Sequence, residues 1–246
     1  MPFPIAAQNV YLTYGGEPIL IDISLCINPG ETICLLGPSG SGKTTLLKVF
    51  AGLVEPTHGS ILYENTNIYK TREKRYLKFQ EKTSFLFQDG ALLANMSVFD
   101  NIALPLRYHS RREERLLTEM VHTVAAPFNL LTRMDKRPAT LSVGARKLVA
   151  LARTLVTSPE IIFFDDPTDI IDRASADKVL KEIKARTLDR NISIILSTGD
   201  IEVARELGGR AVILYDGQLL IEGTLDEINS SDDPFIMKIM KSIEQT

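Results

Sequence analysis

The apolar positions of the chain fall into short runs that alternate with segments of helical periodicity. Residues 33–36 and 161–164 are two such runs, and residues 192–196 and 211–215 follow helix-like segments. Apolar runs of this length, bounded by turn residues, are typical of buried strands. Strands that alternate with helices predict an α/β fold with a mainly parallel sheet covered on both faces.

The N-terminal segment has a period of two instead. Within residues 11–27 a Gly15-Gly16 pair marks a turn, after which apolar residues alternate with polar or small ones. The alternating apolar residues are Ile19, Ile21, Ile23, Leu25 and Ile27. This pattern predicts an antiparallel hairpin.

Helical patterns cover residues 44–53, 111–126, 145–156 and 233–243. In the last segment the apolar residues at helical spacing are Phe235, Ile236, Ile239, Met240 and Ile243. Such a stripe packs either against its own domain or against a second subunit.

A glycine-rich stretch joins the apolar run 33–36 to the helix that follows. Its residues are Gly37, Pro38, Ser39, Gly40, Ser41, Gly42, Lys43, Thr44 and Thr45. Glycines allow the backbone to surround phosphate oxygens with N–H groups, and the helix start adds the positive end of its dipole. Lys43 would contact the outer phosphates and the Thr44 hydroxyl would bind magnesium. Because a plain glycine-rich turn rarely has this full spacing, we expect ATP with Mg²⁺ to be the ligand.

A second group of polar residues follows the apolar run 161–164, where Asp165 and Asp166 come directly after it. Together with the glycine-rich loop, Asp165 fits a carboxylate that holds magnesium, and Asp166 fits one that faces the γ-phosphate and the attacking water. The alternative is a solvated strand end.

Composition narrows the class of protein. With 246 residues, 44% of them hydrophobic, the chain can bury a substantial core, and no apolar segment approaches the roughly 20 residues of a membrane-spanning helix. The N-terminus has no targeting pattern, so we expect a cytoplasmic protein. The net charge of −3 gives no general attraction for nucleic acid.

Cys26 and Cys34 lie in apolar runs and are expected to be small buried residues. The basic residues of 70–82 fit a solvated helix face, or a surface for acidic lipid or a partner.

With these motifs, the whole chain resembles the ATP-binding subunit of an ABC transporter. The resemblance implies a P-loop NTPase (RecA-like) core with an antiparallel β subdomain and a helical ABC subdomain. Residues 1–88 and 158–225 would form the core with its β subdomain, residues 89–157 the helical subdomain with the signature motif, and residues 226–246 a C-terminal helical tail.

Further residues match motifs of that family. Tyr14 matches the aromatic residue that stacks on adenine, although a strand tyrosine in the core is the alternative. Gln88 matches the glutamine that contacts magnesium and attacking water, which with Lys43 and Asp166 completes the catalytic set. Residues 141–145 lie at the signature, of which Ser142, Val143 and Gly144 would face the nucleotide of a second subunit. Asp172 fits the loop that crosses between subunits.

A narrower resemblance covers residues 85–106, which read FLFQDGALLANMSVFDNIALPL. This segment is similar in sequence to the MlaF-like branch of the family, whose members act in lipid movement with Mce-type substrate-binding proteins. In the family this region contacts the permease. The resemblance therefore implies a membrane permease for a lipid or other hydrophobic substrate, on the inner face of the cytoplasmic membrane.

Four residues, in three motifs, depart from the family pattern. Asp166 replaces a glutamate, Gly199 replaces the switch histidine, and Val143 and Ala145 replace a glycine and a glutamine of the signature. Since a displacement of about 1 Å in a catalytic group can cost roughly a hundredfold in rate, we expect slow hydrolysis. Arg146 and Lys147 either compensate for the signature changes electrostatically or lie at the surface.

Three hypotheses follow. The first is an ATPase that dimerises head to tail around Mg-ATP and drives a permease, as a homodimer or with a second type of ATP-binding subunit. The second is a non-catalytic ATP-dependent clamp or regulatory subunit in a transporter complex. The third, an ABC protein linked to nucleic acid, is disfavoured by the charge and by the absence of a long coiled-coil insertion or a tandem second domain.

Overall fold

The computed structural model describes residues 4–109, 113–189 and 191–244, and it contains two sheets within these ranges. The strands are β1 (Ile5–Tyr14), β2 (Glu17–Ile27), β3 (Thr32–Leu36), β4 (His58–Tyr63), β5 (Thr66–Asn67), β6 (Thr83–Leu86), β7 (Ile161–Asp165), β8 (Ser193–Thr198), β9 (Arg210–Tyr215) and β10 (Gln218–Gly223). All four predicted buried strands are present, with ends that differ from the predicted ones by up to two residues.

The larger sheet has six strands in the order β10-β9-β3-β8-β7-β6. Its strands β9, β3, β8, β7 and β6 are parallel, and β10 pairs with β9 in antiparallel fashion. In β3 and β7 every residue is buried, because layers of structure cover both faces. The carboxyl ends of the parallel strands meet at one edge, which brings the polar residues after β3, β7 and β8 together.

The smaller sheet is antiparallel, with the order β2-β1-β4-β5. The predicted hairpin is present with its turn at Gly15-Gly16, but the predicted alternation is wrong before Asp22. The register shifts along the β1–β2 pair, and Asp22 has a left-handed φ of 51°. This irregularity reverses the faces, so that Leu20 is buried while Ile19 and Ile21 are only half-buried.

Nine α-helices lie within the described residues. They are α1 (Lys43–Phe50), α2 (Glu73–Lys82), α3 (Val98–His109), α4 (Glu114–Ala125), α5 (Val143–Leu155), α6 (Arg173–Thr187), α7 (Ile201–Leu207), α8 (Leu225–Asn229) and α9 (Pro234–Glu244). The predicted helix 111–126 corresponds to α4, and its first residues, Arg111 and Arg112, lie outside the described residues. None of the described helices has the length and apolarity needed to cross a lipid bilayer.

Two hydrophobic cores pack on opposite faces of the six-stranded sheet. One core joins α1 and the antiparallel sheet to side chains such as Leu35, Phe163 and Ile195. The other joins helices α3 to α7 and α9 to the alternate side chains, such as Leu36, Phe164 and Leu196. Successive strand residues point to opposite faces, so each strand contributes to both cores.

Several expectations about surface and interior can be compared with the structure. Cys34 is buried, but the expectation for Cys26 is wrong: it is exposed, because it lies between the buried Leu25 and Ile27 on the outer face of β2. Helix α2 has a mostly exposed face that carries the basic residues. In α9 the residues Ile236, Ile239, Met240 and Ile243 are buried in the core of their own domain.

Candidate functional site

The glycine-rich loop connects the end of β3 to the start of α1. A Cβ atom at Gly37 would lie 2.1 Å from the carbonyl oxygen of Leu214, so no side chain fits there. Gly42 precedes the helix with φ 101°, a conformation that L side chains rarely adopt. The first N–H groups of an α-helix such as α1 have no partners within the helix and are free to bind an anion. The chain thus forms a tight strand–loop–helix turn where the sequence predicts a phosphate-binding loop, and the binding of phosphate there stays a prediction.

The remaining residues of the loop differ in exposure. Ser39 and Gly40 are exposed at its tip, whereas Pro38 and Thr45 are half-buried. Ser41 is 3% exposed, and its hydroxyl has no hydrogen-bond partner among the described residues. An unsatisfied buried hydroxyl costs about 1–3 kcal/mol. The protein therefore leaves a polar atom unsatisfied in this loop, as a site for a polar ligand does.

The side chain of Lys43 lies within the loop. It is 8% exposed, and its Nζ donates to the carbonyl oxygens of Gly37 at 2.7 Å and Pro38 at 3.0 Å. Burial lowers the pKa of Lys43, while the nearby carboxylates of Asp166 and Asp165 act in the opposite direction. The ammonium group is thus buried between the loop and the two aspartates.

Asp165 ends β7 and is 2% exposed. Its Oδ1 accepts hydrogen bonds from the Thr44 hydroxyl at 2.7 Å and from the Ser197 hydroxyl at 2.8 Å. These bonds join the ends of β7 and β8 to the first turn of α1. Two hydroxyl donors satisfy a carboxylate that would otherwise be costly to bury.

Asp166 follows directly and adopts a left-handed φ of 41°. Its N–H donates to both the carbonyl oxygen of Ser197, at 3.1 Å, and the Ser197 hydroxyl, at 3.2 Å. Burial raises the pKa of Asp166, the charge of Lys43 opposes this, Asp165 and Asp169 add to it, and a hydrogen bond from the Gly199 backbone opposes it. The carboxyl group thus combines burial with cationic and anionic neighbours, as groups at functional sites often do.

The donor set fits magnesium bound together with phosphate. Thr44 and Asp165 supply neighbouring oxygen atoms, and Mg²⁺ usually takes one or two carboxylates, water and substrate phosphate oxygens. Within the described residues there is no cluster of three or more Asp, Glu, His or Cys side chains that would hold an ion without a nucleotide. The predicted third ligand, Gln88, is exposed, and its amide donates to Asp169 Oδ2 at 2.8 Å. Its role as a ligand stays a prediction.

Several residues of the site were missed by sequence reasoning. Ser197 orients both aspartates, and Asp169 holds the side chain of Gln88. Arg153 of α5 donates to the carbonyl oxygens of Gly90 and Ala91, at 2.6 and 2.8 Å. Ser197 could have been found as a polar residue at the end of a buried strand, the same pattern that identified Asp165.

Lys147 of α5 was expected either to compensate for the signature or to lie at the surface, and the second expectation is wrong. It is 4% exposed, and its Nζ donates to the carbonyl oxygens of Gln88, at 2.5 Å, and Asp166, at 3.1 Å. The helical period gives a reason: Lys147 falls three residues after Gly144 and four before Leu151, both of them buried.

The signature residues begin α5. The hydroxyl of Ser142 caps the helix by accepting from the N–H of Ala145 at 3.2 Å, and Val143 is 46% exposed. A Cβ atom at Gly144 would lie 2.3 Å from Ser175 Oγ and 2.6 Å from Asp172 Oδ2. The structure therefore packs Asp172 against the signature of its own chain.

Tyr14 ends β1 and is 55% exposed, so the core alternative is wrong. The hairpin that carries it lies beside the phosphate loop: a Cβ at Gly42 would be 3.0 Å from the carbonyl oxygen of Ile19. An exposed ring on this hairpin can stack on a flat apolar group, and its contact with adenine stays a prediction.

Comparisons with known proteins agree with this site. A family profile described as ABC transporter matches residues 20–169. The phospholipid transport ATP-binding protein MlaF of Haemophilus influenzae is 30% identical over 237 residues, which cover 96% of this chain and 90% of that protein. The "Probable ribonucleotide transport ATP-binding protein mkl" of Mycobacterium tuberculosis is 32% identical over 243 residues, with coverages of 98% and 67%.

A solved structure of an ATP-binding cassette is also similar to this chain. The dimeric ATP-binding cassette MJ0796, bound to ADP and Pi in a post-hydrolysis state, superposes with a TM-score of 0.83 at 30% identity. The match covers 90% of this chain and 98% of that one. The family match, the similarity over nearly the whole chain and the phosphate loop beside two aspartates lead to one conclusion: this chain belongs to the ABC transporter family, as an ATP-binding subunit.

Proposed function

We propose that the chain binds Mg-ATP, pairs head to tail with a second ATP-binding subunit, and hydrolyses ATP slowly to drive a lipid-transporting permease at the inner face of the cytoplasmic membrane. The observation that carries this proposal is the meeting of Lys43, Thr44, Asp165 and Asp166 at one edge of the sheet. Hydroxyl, ammonium and carboxylate groups at this spacing suit a triphosphate and its metal ion.

Each residue has a distinct role in this proposal. The N–H groups of the loop and the Lys43 ammonium bind the phosphates, and Thr44 and Asp165 hold magnesium, which neutralises charge on the phosphate oxygens. Asp166 accepts a hydrogen bond from the attacking water and orients it. The raised pKa of Asp166 favours this role, because a general base works best when its pKa approaches the working pH.

Two features support slow turnover. Asp166 is one methylene shorter than the glutamate that the family usually has, and Gly199 has no side chain to contact the γ-phosphate. We therefore expect turnover below the typical enzyme range of about 1–1000 s⁻¹. The test is single-turnover hydrolysis of labelled ATP, with Asp166→Asn as the variant. A rate that Asp166→Asn abolishes supports the proposal, and a residual rate equal in both proteins contradicts it.

An apolar groove on the surface supports the proposed contact with a permease. It has a volume of about 530 Å³, lies between the loop after β6 and helix α3, and borders the segment that contains Gln88. Its apolar lining includes Leu53, Phe85, Phe87, Leu93, Leu104 and Pro105. A short helix of a membrane protein would bury its apolar side here, and its movement would reach Gln88 through Phe87.

The groove is tested by comparing two exposed leucines. Leu93 lines the groove and is 40% exposed, whereas Leu116 lies on α4, outside the groove lining, and is 47% exposed. Leu93→Glu should weaken co-purification with the membrane permease by at least about tenfold, while Leu116→Glu should not. Equal retention of the permease by both variants would contradict this assignment.

The substrate class rests on similarity. The MlaF relative is named for phospholipid transport and mkl for ribonucleotide transport, so the relatives' names differ. We favour a lipid because residues 85–106, which border the groove, resemble the MlaF-like branch; this branch also implies an Mce-type lipid-binding protein as a partner. Stimulation of ATP turnover in the reconstituted complex by phospholipid, and not by ribonucleotide, is the expected result.

The second candidate function is a clamp that closes on ATP without hydrolysing it. The open space at Gly199, where a histidine is expected, favours this candidate. Nucleotide-dependent dimerisation without turnover, even with the permease present, would establish the clamp. Turnover that rises when the permease is added would exclude it.

A further inference from the structure

A buried cation joins three separate segments at the edge of the site. Lys147 lies on α5, and its ammonium group bonds to the main chain of both the loop after β6 and the end of β7. It does so through two carbonyl oxygens, those of Gln88 and Asp166. A buried ammonium without such partners would be strongly destabilising, so these bonds constrain where both segments can lie.

Opposing influences act on the charge of the Lys147 ammonium group, and burial is the larger one. Burial lowers its pKa, and the carboxylates of Asp169, Asp166, Asp165 and Asp89 act in the opposite direction. Asp169 also accepts a hydrogen bond from the Gln88 side chain, and its own N–H donates to the Asp166 carbonyl oxygen at 3.2 Å. Several hydrogen bonds therefore link the same four residues, which are Lys147, Gln88, Asp166 and Asp169.

The hydrogen bond from Lys147 to Asp166 holds the main chain from which the Asp166 carboxyl group projects. The N–H of Asp166 is held by Ser197 and its carbonyl oxygen by Lys147, on the two sides of a residue with a left-handed φ. Such a conformation is uncommon for a residue with a side chain and persists where surrounding contacts determine it. A change at Lys147 would therefore alter the direction of the Asp166 side chain.

We propose that Lys147 is a positioning residue: its ammonium group holds the loop at Gln88 against the main chain of Asp166 and so fixes the Asp166 carboxyl group in the site. The catalytic meaning of this inference rests on the proposed function. Because Lys147 lies one turn after Val143 on α5, a shift of α5 would move the hydrogen bonds of Lys147 to Gln88 and Asp166. The residue then connects the start of α5, which would face a second subunit, with the catalytic edge of its own chain.

The first test is hydrogen exchange on the protein without nucleotide, which needs no ATPase activity. In Lys147→Met the chain keeps a side chain of similar length but loses the ammonium. We expect exchange at residues 88–91 and 166–169 to become at least about tenfold faster, with little change in β3 or β9. The control is Lys181→Met, an exposed lysine of α6. Faster exchange throughout the chain, or none at these two segments, would overturn the proposal.

The second test separates positioning from binding. In Lys147→Met we expect kcat for ATP hydrolysis to fall at least about tenfold, with the dissociation constant for ATP within about twofold, since Lys43 and its loop are unchanged. Lys147→Arg, which keeps the charge, should restore part of kcat. Parallel loss of ATP binding would overturn the proposal, and so would an unchanged kcat. If the wild-type chain does not hydrolyse ATP, the proposed function fails, and hydrogen exchange alone then decides whether Lys147 holds the two segments.

Discussion

At the scale of single residues, the candidate site combines a glycine-rich loop that has the full spacing of a phosphate loop with a position, Gly199, that has no side chain. Lys43, Thr44 and Asp165 are buried or half-buried and bonded to one another or to the loop. Gly199 leaves open space, since a Cβ there would meet no atom within 4 Å, and its backbone lies outside the left-handed region. The chain thus has room for a larger side chain at this position.

This space gives a prediction about turnover. Gly199→His places a hydrogen-bond donor where the family resemblance implies one, and we expect kcat for ATP hydrolysis to rise by at least about tenfold. Gly199→Ala, which adds only a Cβ, is the matched control and should leave the rate unchanged. Phosphate release in steady state measures both. Equal rates in the two variants would show that the missing histidine does not limit turnover.

The raised pKa of Asp166 gives a prediction about stability. Because the pKa in the folded state lies above the ordinary value of 3.8, this group stabilises the fold at low pH and loses that contribution as the pH rises through the raised value. Asp166→Asn should therefore melt at a higher temperature than the wild type near pH 7. The difference should shrink as the pH falls toward 4. Calorimetry at several pH values measures it, and a variant that is less stable at pH 7 would contradict the assigned cause.

At the scale of elements, α5 is packed so closely against the start of α6 at Gly144 that no side chain fits at this position. Ser175 and Asp172, at the start of α6, would both lie within 2.6 Å of a Cβ at Gly144. Asp172 also accepts from the N–H of Ser175 at 3.0 Å and so caps α6. The two helix starts therefore depend on each other.

Gly144→Ala should lower the free energy of unfolding by about 1–3 kcal/mol, because Ser175 and Asp172 must move and the cap of α6 weakens. Gly199→Ala, at a position with open space, should change it by less than about 0.5 kcal/mol. Urea denaturation of both variants measures the difference. The close packing would be refuted by equal stabilities.

The elements also show what the sequence could and could not predict. The predicted strands β3, β7, β8 and β9 were correct because a fully buried strand needs several apolar residues in a row. The turn between β3 and α1 was predicted from the fixed spacing of its glycines and lysine, and its binding of phosphate stays a prediction. The prediction of which β2 side chains are buried was wrong before Asp22, because the apolar pattern of the sequence does not reveal a register shift. The contacts of Lys147 depend on where β6 and β7 end relative to α5, which the local sequence does not determine.

At the scale of the whole molecule, the six-stranded sheet places its two cores on opposite faces and its polar strand ends at one edge. This arrangement, with the similarity to ABC cassettes, explains why residues far apart in sequence form one site. Helix α9 packs its apolar stripe into the core of its own domain. Deletion of residues after Asn229 should therefore lower thermal stability without changing the oligomeric state, as light scattering would show. A change from dimer to monomer on deletion would contradict this.

The central claim is that the loop from Gly37 to Thr45 binds the phosphates of ATP through its N–H groups and the Lys43 ammonium. Calorimetric titration of Mg-ATP into the wild type, Lys43→Ala and Lys48→Ala tests it most directly, because Lys48 lies on the same helix outside the loop. We predict binding in the micromolar to millimolar range for the wild type and Lys48→Ala, and at least about tenfold weaker binding for Lys43→Ala. Equal affinity of the wild type and Lys43→Ala, or no binding by the wild type, would contradict the account.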